Sequence, residues 1–198
     1  TPSDGLRMTI VSGDSVGYRT DEMNETTTGD IYIVHTFSHT GSATQQDYGQ
    51  AVVTRYLVNF PQETTVDVLV VAGGGSGGYA KGDGGCGGGA SAGEVIQLHS
   101  ITVNGLIDME IGAGGGSREA GWYDESEGNQ GMDGSSSFFK NYEAIGGGGG
   151  GKGMKPSSLV TWNTGGTGGA YGTGAGACTV ETQSYTSASG VSGQRPKN

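Results

Sequence analysis

The stretch Val66-Asp67-Val68-Leu69-Val70-Val71-Ala72-Gly73-Gly74-Gly75-Ser76-Gly77-Gly78 joins two incompatible patterns without a break. Its first half is rich in β-branched residues, which pack well on a pleated sheet. Its second half has almost no side chains to pack. The same switch recurs where 107–111 runs into 112–116 and where Ala144-Ile145 runs into 146–151. A fold for this chain has to turn strand into glycine tract several times. Residues 66–72 are apolar on both faces apart from Asp67, which predicts a central, fully covered strand.

Glycine accounts for 43 of 198 residues, against a usual level of about 7%. Such a composition often marks a flexible, low-complexity chain. Here the glycines fall in tracts, and the segments between them carry strand patterns. Residues 30–37 read as a strand, with Ile31, Ile33, His35 and Phe37 on one face. Residues 51–60 read as another, stopped by Pro61, and 94–98 as a third. Ile101, Val103, Ile107, Met109 and Ile111 alternate with polar residues, the clearest period of two in the chain. Asn104-Gly105 has the chemistry of a tight hairpin turn inside that run. Residues 6–12, 135–145 and 179–185 complete the strand set, and 13–29 reads as loop. No window of a dozen residues keeps a 3.6-residue period free of glycine, so almost no α-helix is expected.

Composition also excludes functions. The net charge of −10 disfavours a nucleic-acid groove or an anionic membrane surface. No apolar run approaches the roughly 20 residues of a membrane span. The chain begins at Thr1 rather than Met, as expected of a processed chain or a fragment. Asn24-Glu25-Thr26 is a glycosylation sequon, meaningful only in a secretory pathway.

Several motifs fail on their context. Gly73, Gly75 and Gly78 fit a dinucleotide fingerprint, but residues 79–93 cannot supply the helix whose N-terminus meets the pyrophosphate. Residues 146–152 approach a phosphate loop, but Gly153 stands where the magnesium-binding hydroxyl belongs, and Pro156 blocks a helix. Asp124, Glu125 and Glu127 lack the spacing of a calcium loop. His35 and His39 lack a third metal ligand. No catalytic residue, metal site or cofactor is expected. Cys86 and Cys178 both sit in or beside glycine tracts. They pair only if the tracts pack side by side; two buried free thiols is the other reading.

Ordered glycine tracts need partners for their backbone groups. A left-handed extended helix of the polyproline type has three residues per turn and no internal hydrogen bonds. Several such helices of glycine can bond to one another, because their backbones approach closely. Gly166, Gly169 and Gly172 recur every third residue, which places them on one face. Tracts containing Gly73, Gly74 and Gly75, then Gly87, Gly88 and Gly89, then Gly147, Gly148 and Gly149, and finally Gly166, Gly169 and Gly172, are expected to be ordered and mutually packed.

The ordered run of 66–75, 84–95, 110–115 and 134–148, preceded by Tyr32-Ile33-Val34-His35-Thr36-Phe37, resembles the glycine-rich domain of bacteriophage tail-fibre and adhesin proteins. Related domains occur in animal receptor ectodomains. The resemblance implies an all-β fold: a jelly-roll-like β-sandwich with an inserted bundle of polyglycine II helices. The resemblance covers roughly 29–176, and with the residues on either side the chain divides into an N-terminal arm or contact segment (1–28), the glycine-rich domain (29–185) and a solvated tail (186–198). The resemblance further implies a non-enzymatic structural or adhesion protein on a virion surface. Its partners would be other virion subunits, further copies of itself and a host surface glycan or protein. An extracellular filament protein of cellular origin is the alternative. Ice binding, a third class, needs a flat uncharged face, which the charged and aromatic interruptions spoil. In fibre-tip adhesins the loops at the ends of the glycine helices bind the receptor. Here 117–131 and 152–164 hold Trp122, Tyr123, Asp124, Glu125 and Trp162, which makes these the candidate contact residues.

Overall fold

A computed structural model describes residues 8–24, 31–41, 52–78, 88–116 and 131–150. The described residues form seven strands: β1 (Thr9–Ser12), β2 (Tyr18–Asn24), β3 (Ile31–Phe37), β4 (Val53–Val71), β5 (Val95–Gly112), β6 (Ser137–Phe139) and β7 (Tyr142–Ala144). They contain no α-helix, only a short 3-10 turn at Ser15–Gly17, capped by the Asp14 carboxylate accepting from Val16 N. The strands make one five-stranded sheet in the order β1-β4-β5-β6-β7 and a separate β2-β3 pair, all antiparallel.

The backbone of the fold is the long β4–β5 ribbon. The strands read separately over 51–60 and 66–72 are joined in the single strand β4, because Pro61 does not end it. The register jumps between Phe60↔Gly105 and Thr64↔Val103, so Pro61, Gln62 and Glu63 bulge out. A bulge is where a residue without an N–H is tolerated inside a sheet. Asn104-Gly105 does not turn the chain either. Gly105 stays in β5 at φ +70°, a left-handed conformation that suits glycine, opposite the bulge. A second irregularity lies between Val66 and Val68, where Ser100 takes φ +54° and its N–H donates to Asp67 Oδ1 at 2.7 Å.

These irregularities let the ribbon curl until both its ends meet. Gly112 and Val71 lie at opposite ends of the pairing, yet Ser137 Oγ accepts from Gly112 N at 2.9 Å and donates to Val71 O at 2.8 Å. Ser137 is fully buried. Inside the curl lie Tyr56, Val58, Phe60, Val70, Val103, Ile107 and Met109, joined by Phe139 and Ala144 from the short hairpin. Alternate residues supply this core, as a pleated strand requires. Residues 66–71 are not covered on both faces as their apolar run suggested: Leu69 is 63% and Val71 52% exposed. Only Val66, Val68 and Val70 turn towards the core.

Two further features depart from the sequence reading. Residues 18–24, expected as loop, form β2, paired from Tyr18↔Phe37 to Asn24↔Ile31. Polar Arg19, Thr20 and Asp21 gave no alternating apolar signal; the ladder with β3 and the Tyr18 ring on Phe37 (centroids 5.2 Å apart) hold it instead. Phe37 in turn meets the buried Tyr56 ring edge-on at 5.1 Å, joining the small pair to the main sheet. Residues 135–145 hold two strands, β6 and β7, reversed at Lys140-Asn141 with Lys140 at φ +53°.

Candidate functional site: a bundle of glycine segments

Five segments extend from the strand ends: 72–78 after β4, 88–94 before β5, 112–116 after β5, 131–136 before β6 and 145–150 after β7. They lie side by side and bond through their backbones. From the first segment, Ala72, Gly75 and Gly78 donate to Glu94, Ser91 and Gly88. Gly73 and Ser76 donate to Ser135 and Met132, and accept from Gly147 and Gly150. Bonds to any one neighbour recur every third residue. In an antiparallel ladder they would follow a two-residue repeat.

The third-residue repeat fixes where a Cβ is forbidden. On Gly73 it would lie 1.9 Å from Ala113 O, on Gly75 2.2 Å from Gly148 O, and on Gly147 2.3 Å from Ser91 O. These are backbone atoms already committed to hydrogen bonds. Glycine is therefore required here by close approach: among the described residues only Gly13 and Gly105 have glycine φ values in the positive range.

Small polar side chains stand in where a backbone partner is missing. Ser76 Oγ donates to Gly116 O at 2.7 Å and accepts from Met132 N at 2.8 Å. Ser91 Oγ accepts from Gly148 N and Asp133 Oδ1 from Gly149 N, each at 2.7 Å. Val52 N donates to Ser135 Oγ at 3.0 Å. Sequence reasoning missed these residues; the available signal was a lone serine or aspartate inside a glycine tract.

The chain direction of each segment is set by its strand. Segments 72–78, 112–116 and 145–150 run away from the sheet, while 88–94 and 131–136 run back. Gly78 N donates to Gly88 O at 2.8 Å, Gly131 N to Gly150 O at 2.8 Å, and Gly116 is tied to Met132 through Ser76. The described ends at 78, 88, 116, 131 and 150 thus gather at the end of the bundle remote from the sheet. The chain between 78 and 88, between 116 and 131, and after 150 starts from that one end.

A family model described as Glycine-rich domain matches residues 50–197. The chain belongs to this glycine-rich domain family. No curated protein and no solved structure matches it significantly. Within the glycine-rich domain, the structure brings Gly73, Gly74, Gly75, Gly88, Gly89, Gly147, Gly148 and Gly149 into the bundle. Gly87, Gly166, Gly169 and Gly172 lie outside the described residues. So do Trp122, Tyr123, Asp124, Glu125 and Trp162, and both cysteines, Cys86 and Cys178.

His35 and His39 each make a hydrogen bond through Nδ1. His35 Nδ1 meets Tyr18 Oη at 2.8 Å, and His39 Nδ1 meets Thr54 Oγ1 at 2.9 Å. No group of three metal-ligating side chains occurs among the described residues. No described helix is long and apolar enough to cross a membrane. Burial holds the His35 imidazole below its ordinary pKa of 6.5. The unfolded chain therefore binds more protons than the folded one just below that value. Stability is fully present above pH 6.5 and falls as pH drops through the lowered folded value. A melting series from pH 7.5 to pH 5 should show a falling Tm, and His35→Gln should flatten that fall. An unchanged slope in the variant would assign the pH dependence elsewhere.

Proposed function

We propose that the chain is a non-enzymatic structural and adhesion module of a virion surface, of the phage tail-fibre or tip type. In this reading the five glycine segments are polyglycine II helices. The curled ribbon with its β2-β3 pair is a jelly-roll-like sandwich. The bundle is a rigid rod base, and the loops at its far end touch a host surface glycan or protein. Other virion subunits and further copies of the chain hold the sheet end. One observation carries the reading: the described ends at 78, 88, 116, 131 and 150 gather at a single end of a bundle whose backbone is bonded on several sides. A rigid scaffold presenting clustered loops is the usual architecture of recognition.

The three-residue hydrogen-bond repeat supports the helix assignment, since three residues complete one turn of that helix. The contact candidates are Trp122, Tyr123, Asp124 and Glu125 in one loop and Trp162 in another. Aromatic faces stack on apolar sugar faces, carboxylates accept hydroxyl hydrogen bonds, and large aromatics anchor protein interfaces.

The test uses the purified chain on an array of bacterial surface glycans and on whole bacterial cells. Binding should be measurable, and Trp122→Ala or Trp162→Ala should weaken it about 10-fold or more, the effect of losing a hot-spot aromatic, at unchanged Tm. No binding in either format, binding unaffected by both changes, or a collapse of Tm with either change would reject the recognition role.

A further inference from the structure

Four glycines in the bundle have no reason to be glycine among the described residues. Among the described residues, a Cβ on Gly74, Gly77 or Gly114 would come no closer than 3.6 Å to any atom, an ordinary contact, and one on Gly89 would meet nothing within 4 Å. None of the four has a positive φ. An alanine would fit and would reduce the entropy lost on folding. Their tight neighbours Gly73, Gly75, Gly115 and Gly93 are each explained by a backbone within 2.4 Å.

The four lie together. Gly114 faces Gly74 O, Gly74 faces 91–93, and Gly77 faces Gly88 O. Gly77, Gly89 and Gly114 are exposed, whereas 146–150 is buried throughout. Around the central segment 72–78 the other four follow one another in the order 112–116, 131–136, 145–150, 88–94, each bonded to the next. The ring is open between its first and last members, and the four unexplained glycines line that opening.

We propose that the opening is a slot for a sixth segment of the same chain, the tract 165–176. Two observations select it. Of three segments that run outward, two are followed by a described return, and the third ends at Gly150 on the far side with 48 residues to follow. The family match also continues through residue 197, so this tract belongs to the same domain as the ring. The tract brings glycine at 166, 169 and 172, a three-residue repeat that matches the hydrogen-bond repeat of its neighbours. Running back towards the sheet, it ends at the strand-like residues 179–185. They arrive beside the exposed Leu69, Val71 and Val95. The direction also separates the cysteines. Cys86 is two positions from Gly88 at the far end, while Cys178 follows the tract at the sheet end. A seven-residue segment spans about 20 Å at 3.1 Å per residue, well beyond the about 7 Å between Cα atoms that a disulfide allows.

The test uses the full chain with Gly77→Ala, Gly169→Val and the double variant. With the slot filled, each single change lowers Tm by several degrees, and the double variant loses clearly less than the sum, because both act on one contact. Light scattering should show one unchanged mass throughout, and thiol titration of the denatured, unreduced chain should find both cysteines free. A rise or no change in Tm for Gly77→Ala would mean that water fills the slot. A fall in mass with Gly77→Ala would mean that a second copy fills it. Additive losses would place the tract elsewhere, and a Cys86–Cys178 disulfide would contradict the direction. Any of these four results overturns the proposal.

Discussion

Gly75→Val should lower Tm by roughly 10 °C or more, or abolish folding. The added Cβ would sit 2.2 Å from Gly148 O, 2.5 Å from its carbonyl carbon and 2.9 Å from Gly149 N. A flexible side chain could swing away, but these are backbone atoms. To move them, the chain must break Gly75 N→Ser91 O and Ser91 N→Gly148 O, both at 3.0 Å. Overlap of this kind falls in the exceptional class of substitutions above about 4 kcal/mol. Domains have only about 5–15 kcal/mol in total, and each kcal/mol moves Tm by about 2–4 °C at this size. Leu106→Ala, at a residue 63% exposed, is the control and should shift stability by no more than about 0.5 kcal/mol. Thermal melts of both variants decide the matter. Equal, small shifts would mean that the segments part easily and the bundle is not a rigid unit.

The second large effect is expected from Ser137→Ala. The change removes one hydroxyl and no appreciable volume. It strands two backbone groups beside the fully buried Ser137 side chain, the part-buried Gly112 N–H and the Val71 C=O, that only this oxygen joins. Each unsatisfied buried group costs about 1–3 kcal/mol, so a loss of roughly 2–5 kcal/mol is expected. Its signature is local. Amide exchange at Gly112 should accelerate together with the ends of β4 and β5, while exchange at Val58 and Ile107 in the middle of the ribbon should change only as much as global stability does. Denaturant melts showing less than about 0.5 kcal/mol would mean that water replaces the hydroxyl and that the ribbon ends are held by other contacts.

Much of the all-β character was readable from single residues. The alternation of Ile101, Val103, Ile107 and Met109 announced β5, and all four now sit in or against the core with Tyr56 and Val58. The tracts announced themselves by composition, because nothing but close backbone contact makes so many glycines useful. The failures share a cause, which is that punctuation residues have more than one use. Pro61 and Asn104-Gly105 are proper signals for ending a strand and turning a hairpin. Here both were absorbed into one bulge facing across the ribbon, a pairing that no local window contains. Tyr18 to Asn24 was missed for the opposite reason: its ladder rests on backbone bonds to β3, and backbone bonds leave no trace in a hydropathy pattern. In the bundle, Ser76, Ser91 and Ser137 were unreadable because their importance depends on partners 56, 57 and 66 positions away.

Those separations govern how the molecule is made. Almost nothing in the bundle is satisfied by a sequence neighbour. Segment 72–78 takes its bonds from 88–94, 112–116, 131–136 and 145–150, so it stays incomplete until Gly150 has left the ribosome. Chains dominated by such distant pairings pay loop-closure entropy before any contact rewards it, and they fold over milliseconds to seconds rather than microseconds. During that interval the nascent chain carries unpaired glycine backbone beside the apolar strand 66–71, a combination open to wrong partners on neighbouring chains. The same wiring that bonds the segments to one another therefore makes their assembly late, cooperative and dependent on keeping unfinished copies apart.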